Sequence, residues 1–177
     1  MYGGEFRSMK EALINWFVVN LGGKLGKEAI IFVISMVPIL ELRGGLLAAG
    51  PAILDVPQMR AIPICIIGNL LPIPFILLLI TKIFDWMKGT RKLKPIVDKL
   101  EAKAMSKSAN IEKYEFWGLV AFVGIPLPGT GAWTGALIAA LLGIRFRKAF
   151  PAIVLGVLLA AFIMTVLSYG ILGAIFA

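Results

Sequence analysis

The chain has 177 residues, 59% of them apolar, and its 18 basic and 10 acidic residues give a formal charge of +8. A soluble domain carries roughly 45–50% apolar residues, and uncharged runs cover residues 61–81, 116–144 and 149–177, each longer than the roughly 18 residues that mark a segment for membrane burial. The composition excludes an ordinary soluble enzyme, and a single cysteine (Cys65) with no histidine removes the usual disulfide, zinc and haem frameworks.

Gly3-Gly4-Glu5-Phe6-Arg7-Ser8 ahead of Met9 reads like a cloning-site remnant, which would make Met9 the native start. Residues 1–27 form an N-terminal interfacial segment. Its helix over 9–21 gathers Met9, Leu13, Trp16, Phe17 and Asn20 near one face, with Lys10 and Glu11 on another. Gly22-Gly23 ends it. Residues 28–84 form a first unit. Its stretch 28–55 is broken by Pro38 and by Gly44-Gly45, and leaves through Gly50-Pro51. Each half reaches only about 15 Å at 1.5 Å per residue, about half of a hydrocarbon core. A re-entrant helical hairpin is therefore expected, followed by a spanning helix at 61–84 that Pro72 and Pro74 should bend.

Residues 85–115 are a basic amphipathic segment. Leu93, Ile96, Val97, Leu100 and Ala104 recur at helical spacing, and residues 82–115 hold nine of the eighteen basic residues. A helix on the cytoplasmic surface is expected, with a turn at 106–110; nucleic-acid binding is not. Residues 116–177 repeat the first unit, as a hairpin over 116–144 and a spanning helix over 149–176. Pro38 and Pro126, Pro63 and Pro151, and Gly68 and Gly156 all lie 88 positions apart. One hairpin plus one span crosses the membrane once, so the second copy would enter inverted. Four broken spans in a parallel repeat are the rival arrangement.

The fold class expected is thus all-α and integral to a membrane, built as an inverted repeat that brings the two hairpin turns together at mid-depth. Glu41 and Arg43 are the only charges between residues 29 and 54. An ionisable group at membrane depth costs about 2.5–3.5 kcal/mol on insertion scales, so it marks a site or a buried pair. Glu41 is the candidate for proton or ion coupling. Pro126, Pro128, Gly129, Thr130 and Gly131 form an uncharged irregular stretch, survivable at depth only inside protein or along a cavity. Its free amides, at the start of the helix at Trp133, would suit a phosphate or carboxylate. Thr130 and Thr134 add hydroxyls. Trp133 stacks on a ligand or packs, and Asn69 lines the cavity or bonds a neighbouring helix. No nucleophile–base pair, phosphate loop or metal cluster is visible, so neither an enzyme nor a cofactor is expected.

Pro38-Ile39-Leu40-Glu41-Leu42-Arg43-Gly44-Gly45 and the run from Ile125 to Gly135 resemble the two signatures of the small multidrug export protein family. The layout also resembles the DedA/VTT superfamily. That resemblance implies translocation of anionic lipids such as undecaprenyl phosphate or phospholipid, in a prokaryotic cytoplasmic membrane. The superfamily places an acid in the first hairpin, as Glu41 does, and arginines in the second, where this chain has none; Arg43 would act from the first instead. Lipid translocation is the leading expectation. Proton-coupled export of small cationic drugs through Glu41 and a non-transporting scaffold are the alternatives. Membrane lipids and a small-molecule or lipid-phosphate substrate are the expected partners. Two crossings enclose little volume, so a homo-oligomer is expected.

Overall fold

The computed structural model describes residues 2–90, 93–127 and 129–166, with side chains from residue 9 onward except at 109 and 110. The described residues form helices and connecting turns, without a strand: α1 (Tyr2–Leu21), α2 (Lys27–Met36), α3 (Glu41–Ala49), α4 (Gln58–Leu70), α5 (Ile73–Lys88), α6 (Lys94–Met105), α7 (Ala109–Gly124), α8 (Ala132–Leu141) and α9 (Phe146–Thr165). The chain forms two compact units that divide between Leu71 and Pro72.

In the first unit α2 packs against both α3 and α4, and α1 lies on α2 and α3. Glycines let the backbones approach. A Cβ on Gly45 would meet Ser35 Oγ and come within 2.8 Å of Cys65 Sγ, and one on Gly68 would come within 2.6 Å of the Phe32 carbonyl oxygen. Ile30, Ile31, Ile34, Leu40 and Leu42 fill the core. On α1, Leu13 and Phe17 of the apolar stripe are half-buried. Met9 and Trp16 are exposed, while Ile14 is buried and Lys10 half-buried on the packed side. Helix α1 also begins at Tyr2, earlier than expected.

In the second unit α7 packs along α9, α5 against α8 and α9, and α6 over α5 and α8. The basic segment is therefore only partly a surface helix. Val97 and Ala104 are buried, and Ile96 and Leu100 from the same stripe are exposed. The turn expected at 106–110 is shorter, because α7 starts at Ala109. Ser108 Oγ donates to the Glu112 carboxylate across that start. Glu115, with φ at 39°, breaks the helix, and Lys148 Nζ meets its carboxylate at 2.9 Å.

Two segments are long and apolar enough to cross a membrane, Gln58–Lys88 and Phe146–Thr165, and most of each is left unburied. The first pauses at Leu71–Pro72, where the proline has no amide to continue the ladder. Pro63 falls inside α4 and not in its first turn, since that helix already starts at Gln58. The part of the second expected span beyond residue 166 lies outside the described residues.

The 88-residue spacing recurs in the backbone. Val37 (φ −75°, ψ 129°) and Ile125 (φ −79°, ψ 122°) close α2 and α7 in extended conformation. Glu41 and Gly129 both have positive φ (51° and 76°), as do Asp55 and Gly143 (49° and 68°). Pro57 and Arg145 precede α4 and α9 with matching dihedrals. Gly68 lies against Phe32 O and Ser35 Cβ; Gly156 lies against Val120 O and Val123 Cβ, the same two positions 88 residues on.

Candidate functional site

The first turn is wound tightly. The amides of Leu40 and Glu41 both donate to the Val37 carbonyl (3.1 and 2.8 Å), and the Gly44 amide donates to Leu40 O at 2.8 Å. Leu40 and Leu42 anchor it in the core, so Glu41 between them is carried inward and is only 8% exposed. Its left-handed backbone costs a non-glycine residue about 1 kcal/mol. Its place at the start of α3 offsets part of this, because the helix dipole favours a carboxylate there. Arg43 follows, half-buried, within range of the Glu41 charge.

The link from Gly50 to Pro57 folds back on α3, with Leu54 N donating to Ala48 O (3.2 Å) and Val56 N to Ala49 O (3.0 Å). Helix α4 therefore runs antiparallel to α3, and Cys65 comes level with Gly45. Asn69 follows one turn further along α4. Asn69 is 2% exposed, and its Oδ1 has no hydrogen-bond partner among the described residues. The interhelical bond that would use this oxygen is absent. A buried acceptor without a donor is uncommon and calls for a cause.

Lys10 was missed from the sequence. Ile14 buries against the packed side of α1, and Lys10 sits one turn before it. Burial pulls the Lys10 ammonium below the ordinary lysine value, the Arg43 charge lowers it further, and the Glu41 carboxylate opposes both. Lys10, Glu41 and Arg43 thus lie within electrostatic range of one another.

The second turn contains no charge of its own. The Leu127 amide donates to Ile125 O at 2.8 Å. Thr130 Oγ1 lies 3.0 Å from Ile125 O and 2.9 Å from Leu127 O, so its hydroxyl hydrogen is spent holding the turn. Gly129 supplies the left-handed position. Lys107 Nζ, from the α6–α7 junction, donates to the Gly129 carbonyl oxygen at 2.8 Å. Lys107 was also missed, since it lies 22 residues from its partner. Gly131 precedes α8, and no side chain caps that helix. Trp133 and Thr134 are half-buried in its first turn. Gly135 packs onto Val123 and Leu119 of α7. Pro128 lies outside the described residues.

The structure thus brings Glu41, Arg43 and Lys10 within electrostatic range of one another in the first unit and buries Asn69 on α4. It gathers Pro126, Gly129, Thr130, Gly131, Trp133, Thr134 and Lys107 around the second turn. A family model described as "Putative small multi-drug export protein" matches residues 41–163. No curated protein and no solved structure matches the chain. The match starts at Glu41, where the first turn ends, covers the second turn and most of both long apolar helices, and marks the chain as a membrane protein.

Proposed function

Because the chain belongs to the small multi-drug export protein family, a family of transporters rather than enzymes by its description, we propose that its first hairpin turn binds the headgroup of an amphipathic anion. The substrate class is a lipid such as undecaprenyl phosphate or a phospholipid. The observation that carries this reading is the buried Glu41, held in left-handed backbone beside Arg43 and Lys10. Strain of that kind persists where surroundings over-determine it, and it clusters at binding sites. Arg43 and Lys10 attract an anion, and the buried Asn69 Oδ1 of α4 can accept a hydrogen bond from a water bound with it. Glu41 is placed to carry the coupling proton. In this reading each hairpin dips into a prokaryotic cytoplasmic membrane and returns, and the basic residues of segment 82–115 lie on the cytoplasmic side.

A second reading starts from the same buried acid. Here Glu41 binds a small cationic drug and exchanges it for a proton.

Proteoliposomes separate the two. Arg43→Ala should abolish movement of a fluorescent phosphatidylglycerol while Glu41→Gln slows it. Drug export predicts the reverse ranking, with Glu41→Gln abolishing ethidium efflux and Arg43→Ala milder. Folded protein whose transport ignores both substitutions sinks both readings and leaves the scaffold.

A further inference from the structure

The two hairpin turns share a feature outside their own sequence. Glu41 and Gly129 are equivalent by the 88-residue spacing, and each occupies left-handed backbone. Each also meets a lysine brought by the amphipathic segment ahead of its hairpin. Lys10 reaches the Glu41–Arg43 group from α1, packed there through Ile14. Lys107 reaches the Gly129 carbonyl from the α6–α7 junction, at 2.8 Å.

We propose that Lys10 and Lys107 select the headgroup, each supplying its hairpin turn with the cation that favours a phosphate-type anion on an apolar tail. This deepens the anionic-amphiphile reading above and rests on it. An ammonium has three donors, and the Gly129 carbonyl takes one of those of Lys107, so two remain for a headgroup oxygen. Both lysines are half-buried; the Lys107–Gly129 bond itself is exposed, and a charge-assisted bond is still stronger than a neutral one. In the second turn Lys107 is a cation that a hydrogen bond brings to the backbone. Segments distant in sequence thus set the charge preference of both turns.

The test uses full-length protein in detergent and in proteoliposomes, with the variants Lys10→Met, Lys107→Met and Lys107→Arg. Binding is read as the rise in melting temperature on adding decyl phosphate or decyltrimethylammonium. Wild-type protein should prefer decyl phosphate, and each methionine variant should lose about ten-fold of that preference, the scale of one strong charged contact. Lys107→Arg should keep most of it, because a guanidinium can also donate to the Gly129 carbonyl. Flux of phosphatidylglycerol relative to phosphatidylcholine should follow the same order. The proposal is overturned if both probes weaken equally, since the lysines then merely hold the turns, or if the preference survives both methionine substitutions. If wild-type protein moves no lipid yet the binding preference behaves as described, the transport reading fails and the selection by lysine stands.

Discussion

At the end of α2 the chain turns through four residues and enters α3 at Glu41. At the end of α7 it needs seven, entering α8 at Ala132, three positions later by the repeat spacing. The backbones leave their first helices alike, at Val37 and Ile125, and both pass through a left-handed position at 41 and 129. They diverge because Leu40-Glu41-Leu42 are good helix formers, whereas Pro126 and Pro128 lack amides and Gly129 and Gly131 lower helix propensity. A glycine meets the left-handed requirement at no steric cost. Glutamate meets it at a cost and is nevertheless present in the turn that carries charge. The pair shows that a duplicated backbone constrains dihedral angles and close approaches and leaves side-chain chemistry free to specialise.

The largest effect that could break this comparison is expected at the paired glycines. A Cβ on Gly68 would lie 2.6 Å from Phe32 O, and one on Gly156 would lie 2.6 Å from Val123 Cβ and 3.0 Å from Val120 O. Gly68→Ala and Gly156→Ala should each destabilise by about 1–3 kcal/mol, the usual range for overpacking, as measured by thermal unfolding in detergent. Tolerance at one site and not at the other would show that the two crossings are not equivalent.

The left-handed pair sharpens the point with opposite signs. Gly129→Ala should cost about 1–2 kcal/mol for its positive φ; the crowding of Lys107 adds little, because a flexible side-chain end can move. Glu41→Gly should relieve about 1 kcal/mol of backbone strain while slowing lipid transport, as Glu41→Gln does. A Glu41→Gly protein that is both stabilised and active would remove the functional reason for the strain.

The smallest effect concerns Lys10 and pH. Its folded-state pKa lies below the ordinary value of 10.5, mainly through burial. At lower pH both folded and unfolded chains carry the proton, and the buried charge weighs against folding. As pH rises from the folded-state pKa towards the ordinary value, the folded state releases the proton first, so this residue's contribution to stability increases. The melting temperature of wild-type protein should gain on that of Lys10→Met across that alkaline window. Parallel curves would show that Lys10 is not buried in the folded protein.

Much was legible before any coordinates. Uncharged runs identify a helical membrane protein because a bilayer demands apolar, internally bonded segments. The three Pro/Gly matches locate the repeat because those residues restrict the backbone locally, whatever surrounds them. Glu41 and Arg43 stand out as charges in an apolar stretch. The role of Thr130 was not legible, since a hydroxyl that closes its own turn looks the same in sequence as one offered to a ligand. Nor was the orphaned oxygen of Asn69, which exists only because α4 folds back along α3.

The amino-acid order by itself determined the helical class, the duplicated backbone and the charged turn, all of which follow from properties of neighbouring residues. Only the tertiary structure decided which face of α1 docks and where the α6–α7 junction lands, and hence that Lys10 and Lys107 attend the two turns. Lysines along an amphipathic helix share one spacing whether they meet water or protein. The choice is made by packing partners remote in the chain.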